Sequence, residues 1–319
     1  MIYQASTVIF NHSLNIPFLM HALEVKNLYK AFGEIKAVNN VSFEVPEGSV
    51  FGLIGRNGAG KTTTIRMILS IYLPDKGEVI FRGEKIDDSF KDKVGYLPEE
   101  RGLYKKMKVM DTITFFAELK GKSGKEVNRR ANEYLERFDL LDRKDSKIED
   151  LSKGNQQKIQ FISTLIHDPD FIILDEPFAG LDPINTELLK EIILENSKKG
   201  KVIIFSTHLM DFAEKMCDHI AMIDKGELIL SGSLSEIKNK YAQKNVSLNY
   251  EGDLSFLTGH SIIEKISDFG NTTGIRVKEA NQTQQLLKLL IDNGVTVKKF
   301  DANDISLHEI FVELAGNNL

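Results

Sequence analysis

GRNGAGKT, Gly55 to Thr62, lies between a short apolar run (Val50, Phe51, Leu53, Ile54) and a stretch from Lys61 to Ser70 with helical spacing. The run reads as a buried parallel strand and the stretch as the helix that follows it. The spacing G-x-x-x-x-G-K-[ST] is that of a loop that cradles phosphates. Gly55, Gly58 and Gly60 are expected to take positive φ and to let the backbone approach a ligand closely. Backbone N–H groups at the helix start then point at the anion along the favourable end of the helix dipole. Lys61 is expected to reach the β- and γ-phosphates of ATP, and the Thr62 hydroxyl to ligate Mg²⁺, with Asn57, Ala59 and Thr63 completing the phosphate cradle. A plain glycine-rich turn has the same local composition, but it would not bring the two stretches that follow.

The first of these is FIILDEP, Phe171 to Pro177. Phe171 to Leu174 reads as a second buried strand, ending in Asp175 and Glu176. Open α/β sheets bind ligands at the carboxyl ends of their strands. Asp175 therefore suits Mg²⁺, and Glu176 suits the general base that polarises an attacking water. The second is LSKGNQQ, Leu151 to Gln157, ahead of apolar residues at helical spacing from Ile159 to Ile166. A helix start carrying Ser152 and Gly154 is an anion site with no obvious anion in its own subunit.

With these three stretches in the chain order 55–62, 151–157 and 171–177, residues 23–234 resemble an ABC-transporter nucleotide-binding subunit. LSKGN stands where that family carries its LSGGQ signature, AGLD (Ala179 to Asp182) where it carries the D-loop, and STH (Ser206 to His208) where it carries the switch histidine. The resemblance implies an α/β fold: a P-loop NTPase of residues 22–234 with a RecA-like core, an antiparallel β subdomain and a helical subdomain over about 99–165. It implies a head-to-tail dimer with two ATPs, each between one subunit's phosphate loop and the other's Ser152, Gly154, Asn155 and Asp182. It also implies His208 as a catalytic residue and Phe32 as the ring stacked on adenine, the alternative for Phe32 being a core position with Tyr29 as the contacting ring. A trans-acting signature would take the place of an arginine finger, whose help is worth about 10³–10⁵ in rate.

Two positions depart from the family pattern. Glu99, in VGYLPEERGLY, stands where the family has a Q-loop glutamine. A carboxylate can still ligate Mg²⁺, and it adds negative charge beside the γ-phosphate. The alternative is a solvated acidic loop in which Glu99 and Glu100 pair with Arg101. Lys153 stands in place of the signature's first glycine.

Around the motifs, the chain predicts helices over Asp111–Leu119, with Asp111 as N-cap, and over Val127–Phe138. In the family a groove on this helical subdomain receives a short helix of the membrane subunit, and Tyr104 to Met110, with three lysines, is a candidate lining. After Gly232 the motifs end. Strands are predicted at 246–250, 263–266, 274–277 and 295–300, and helices at 284–291 and 307–314, a small α+β unit over 235–319. It resembles, more weakly than the motor, the C-terminal extension of drug- and sodium-extrusion-type ABC subunits. Residues 1–21 are expected to be a loose or spurious extension, too poor in basic and apolar patterning for a signal peptide.

A net charge of −5 argues against a nucleic-acid surface, and a single cysteine against a disulfide or a zinc cluster. No apolar run of about 18 residues crosses a membrane. The resulting expectation is an ATP-hydrolysing motor of an ABC exporter. It would be cytoplasmic, peripheral on the inner face of the cell membrane, and partnered by separate permease subunits and a second copy of itself. The competing classes are a soluble ABC ATPase of translation or chromosome maintenance and an ATP-binding regulator. The single cassette and the absence of a heptad run between the motifs weigh against the soluble class.

Overall fold

The structure, a computed structural model, describes residues 21–87, 90–100, 102–242, 244–268, 270, 272–302 and 305–316. The expected extension lies outside it, apart from His21, which opens the first strand. Arg101, the expected partner of Glu99 and Glu100, is outside it too.

The described residues open with β1 (His21–Phe32) and β2 (Ile35–Pro46), a hairpin turned at Gly33 with φ 61°. The phosphate-loop strand β3 (Val50–Ile54) leads into α1 (Lys61–Ile68), and β4 (Lys76–Phe81) and β5 (Glu84–Lys85) follow. The antiparallel sheet runs in the order β2-β1-β4-β5. Next come α2 (Phe90–Lys93), β6 (Val94–Leu97), α3 (Val109–Glu118), α4 (Lys125–Arg137) and the signature helix α5 (Lys153–Leu165). Then β7 (Phe171–Asp175), α6 (Pro183–Lys198), β8 (Val202–Thr207), α7 (Met210–Met216), β9 (His219–Asp224) and β10 (Glu227–Ser233) complete the motor.

The central sheet runs β10-β9-β3-β8-β7-β6, parallel except for β10. Its middle strands are apolar on both faces and buried throughout, because each face is covered. One face packs on α1 and the antiparallel sheet through Leu23, Val41, Phe51 and Ile65. The other packs on the helical elements through Ile113, Leu135, Phe161 and Ile192.

The remaining elements are α8 (Leu234–Ala242), β11 (Asn245–Glu251), β12 (Ile263–Asp268), β13 (Thr273–Val277), α9 (Thr283–Asp292), β14 (Thr296–Ala302) and α10 (Leu307–Gly316). Strands β12-β13-β11-β14 form an antiparallel sheet that shares a small core with α9, built on Val246, Leu248, Ile275, Leu286 and Leu290. The segment 235–319 does not pack as one unit. Ile237 and Ala242 of α8, with Leu307, Ile310, Phe311 and Ala315 of α10, belong to the motor's own core.

One local expectation needs correction. Helix α3 starts at Val109, so Asp111 lies inside it and its N-cap is Lys108, which makes no side-chain cap. The first N–H groups are satisfied instead by backbone: Val109 donates to the Ser146 carbonyl (3.0 Å) and Met110 to that of Lys144 (2.9 Å). Tyr104 to Met110 leads into the first turn of α3. It runs against the next loop, Ile148 donating to the Met107 carbonyl (2.9 Å) and Glu149 to that of Lys105 (2.9 Å).

Candidate nucleotide site

Three neighbouring parallel strands build the site because their register aligns their carboxyl ends. Ile54 of β3 is level with Thr207 of β8, and Asp175 of β7 is level with Ser206. The residues that follow these ends, 55–62, 176 and 208, are thereby brought to one place.

The glycines of the loop serve different needs. Gly58 and Gly60 take φ of 78° and 107°, as expected, but Gly55 does not have positive φ. Gly55 is required by approach: a Cβ there would collide with the Ile223 carbonyl oxygen of the adjacent strand β9. Lys61, at 5% exposure, donates from Nζ to the carbonyls of Gly55 (2.9 Å) and Arg56 (3.1 Å). It also lies 3.4 Å from Glu176 Oε1.

Asp175 is fully buried. The Ser206 hydroxyl donates to its Oδ1, while Oδ2 has no hydrogen-bond partner. Burial pushes its pKa above the usual carboxylate range, and the hydroxyls of Ser206 and Thr62 pull against that. An unpartnered buried carboxylate oxygen beside the Thr62 hydroxyl is a donor set suited to a hard cation such as Mg²⁺. Among the described residues no group of three or more His, Cys, Asp or Glu could hold a metal by itself.

Glu176 has φ of 49°, a left-handed conformation uncommon for a residue with a Cβ. It is held by its N–H, which donates to the Ser206 carbonyl (3.2 Å) and hydroxyl (3.1 Å). The chain turns sharply after β7, and the side chain meets His208: Nδ1 lies 3.0 Å from Glu176 Oε1. The carboxylate is thus shared between His208 and Lys61.

A cleft of about 510 Å³ is lined by Asn57 to Thr63, Glu99, Glu176 and, from the hairpin and the β9–β10 turn, Ile35 to Ala37, Lys225 and Gly226. Glu99 is therefore at the site. Phe32 is at the rim, paired across the turn with Ile35, 45% exposed and edge-on to Tyr72 at 5.5 Å, so it is not a core residue. Tyr29 faces the Lys76 ammonium instead.

Ser152, Gly154, Asn155 and Asp182 do not line this cleft. Ser152 caps α5, accepting from the Asn155 N–H at 3.2 Å, and Lys153 next to it is exposed. Gly154 faces the D-loop, where a Cβ would stand 3.6 Å from the Gly180 carbonyl oxygen. Asp182 caps α6: the Asn185 N–H donates to Oδ1 at 2.9 Å, and with the Asn185 side chain it draws the Asp182 pKa down. Sequence reasoning missed Ser206, Lys36, Ala37 and Lys225. Ser206 was visible beside the switch histidine, and Lys225-Gly226 as a turn, but nothing local ties that turn to the phosphate loop.

Comparison with known proteins agrees with this architecture. The ABC transporter family pattern matches residues 38–179, and the pattern described as "ATP-binding protein DrrA1-3-like, C-terminal domain" matches residues 232–315. An uncharacterized ABC transporter ATP-binding protein, YhaQ of Bacillus subtilis, is 42% identical over 294 residues, which cover 92% of this chain and 98% of that protein. A Nod factor export ATP-binding protein I of Cupriavidus metallidurans is 32% identical over 302 residues, covering 93% and 98%. The dimeric ATP-binding cassette MJ0796, solved in a post-hydrolysis state with ADP and Pi, superposes with a TM-score of 0.61 at 26% identity, covering 66% of this chain and 98% of that one. This chain belongs to the ABC transporter ATP-binding proteins, a family of nucleotide-binding ATPases, and carries their DrrA-like C-terminal domain.

Proposed function

We propose that the chain is the motor of an ABC exporter and works as a head-to-tail homodimer. The observation that carries this reading is a split. The phosphate loop and Glu176 line one cleft, with His208 in contact with Glu176 and Asp175 buried next to it in the chain, while the signature cap Ser152 and the D-loop Asp182 do not line the cleft. In this reading the signature helix start comes to the cleft from a second copy, and the MJ0796 dimer is a precedent for such an assembly.

In the closed dimer Lys61 and the loop N–H groups bind the phosphates, and Phe32 stacks on the base. Thr62 and Asp175, with Glu99, would hold Mg²⁺, which when bound neutralises charge on the phosphate oxygens. Glu176 polarises the water and His208 orients Glu176, their contact being 3.0 Å. Ser152, Gly154, Asn155 and Asp182 of each copy serve the other's ATP. The helical part docks on a permease subunit through a groove of about 340 Å³ lined by Leu103, Phe116, Leu119 and His167 among others. No helix of the described residues is long and apolar enough to cross a membrane. In this reading the pore belongs to separate permease subunits, and this chain works on their cytoplasmic face. The Nod factor export relative supports export as the direction.

The test is to purify tagged Glu176→Gln with ATP from detergent-solubilised membranes of the native cell and identify stoichiometric partners by mass spectrometry. A polytopic membrane protein is the expected result. Ribosomal or chromosomal proteins, with nothing membrane-bound, would overturn the transport assignment.

A further inference from the structure

Arg56, the second residue of the phosphate loop, does two things at once. Its carbonyl accepts from Lys61 Nζ (3.1 Å) and from the Ala59 N–H (3.1 Å), so it sets the curl of the loop. Its exposed guanidinium lies over the ring of Phe311, 5.2 Å from the centroid. Phe311 is on α10, at the far end of the chain, and is only 2% exposed.

Helix α10 is itself firmly held. Ser306 and Glu309 cap it reciprocally: the Ser306 N–H donates to Glu309 Oε2 (2.7 Å) and the Glu309 N–H to Ser306 Oγ (3.2 Å). The Leu307 N–H donates to Glu214 Oε2 of α7 (3.0 Å), the helix that begins two residues after His208. Ile310 and Phe311 are buried in the same core as Met210 and Ala213 of α7. The C-terminal helix therefore touches the phosphate loop on one side and the helix behind the switch histidine on the other.

We propose that Phe311 is a positioning residue of the ATP site, acting through Arg56. A loop built on Gly55, Gly58 and Gly60 has few side chains of its own to restrict it, so an anchor from outside selects its shape. A cation over an aromatic face at a partly exposed site supplies such an anchor. Without it the loop spends less time in the competent shape, and apparent ATP affinity falls in proportion to the competent fraction. Bound ATP rebuilds the loop, so the loss appears in Kd and KM for ATP and hardly in kcat.

This inference rests on residues 55–62 being the phosphate site, and the test separates the two. Phe311→Leu removes the ring but keeps an apolar side chain, Phe311→Met does so with a longer, unbranched one, and Arg56→Ala removes the cation. Titration with a fluorescent ATP analogue should show Kd raised about 2- to 5-fold in each single variant. The double variant Phe311→Leu/Arg56→Ala should be no weaker than the weaker single one, and Arg56→Lys should recover most of the loss. Wild type that binds and Phe311→Leu or Phe311→Met variants that bind equally tightly would overturn the inference alone, as would losses that multiply in the double variant. A merely structural Phe311 would lower Tm and leave the Kd of the folded protein unchanged. Wild type that binds no ATP would overturn the site assignment as well.

Discussion

Ser206 joins the two acids of the site. Its hydroxyl donates to Asp175 and accepts from the N–H of Glu176, at 3.1 Å. Ser206→Ala leaves a fully buried carboxylate with neither oxygen hydrogen-bonded by Ser206, and a left-handed Glu176 with one bond fewer. The expected cost is about 1–3 kcal/mol of stability, read by urea denaturation, together with reduced ATPase activity. Lys61 belongs to the same scale. Lys61→Ala removes a charge-assisted phosphate contact and frees the carboxylate it approaches at 3.4 Å. Loss of measurable ATP binding in calorimetry is expected, and tight binding by this variant would contradict the assigned site. The candidate residues at 55–62, 175, 176 and 208 could be picked out in the sequence because the proposed phosphate, metal and water chemistry restricts which side chains serve. Ser206 is a commoner residue whose role depends on which neighbour it meets, and that is a matter of strand register.

Between elements, the junction of α4, α5 and the central sheet is clasped by Asp168. Arg130 of α4 approaches it at 3.2 Å, and Lys201, which precedes β8, donates to its Oδ1. Burial pushes the carboxyl up, but Lys201 and Arg130 outweigh it and hold the pKa at about 2, below the ordinary 3.8. A depressed carboxylate pKa contributes stability above its unfolded value, and that contribution is lost as pH falls toward the folded one. Asp168 has a backbone φ of 61°, which asparagine tolerates, so Asp168→Asn isolates the charge. The side chain is 57% exposed, so screening limits the effect to about 1 kcal/mol at pH 7. Denaturation curves of the two proteins should converge between about pH 4 and pH 2. A constant difference across that range would assign the effect to shape. Periodicity located β11 to β14, α9 and α10 of the C-terminal segment to within a few residues and missed α8. It misplaced the start of α3, whose first N–H groups are satisfied by carbonyls of residues 144 and 146, partners invisible to a local pattern.

For the whole molecule, the separation of the cleft from the signature helix makes assembly the deciding property. Glu176→Gln should keep ATP binding, slow turnover by about 10²–10⁴, and accumulate as a dimer with ATP-Mg²⁺ in size-exclusion chromatography with light scattering. A variant that stays monomeric at saturating ATP would remove the head-to-tail model for this chain. The three motif stretches, their order, the α/β character and the nucleotide chemistry could be read directly from residue types and spacing, because each of those signals is local: a strand's apolar run, a loop's glycines, a helix's period. Whether Glu99 stands at the site, where Phe32 lies and which part of the C-terminal segment joins the motor could not. Those depend on contacts between residues far apart in the chain. Ring and guanidinium of Phe311 and Arg56 meet only because α10 packs on α7, and α7 on the sheet that carries the phosphate loop. Burial of apolar surface drives that packing, and it has no direction and no sequence spacing to betray it.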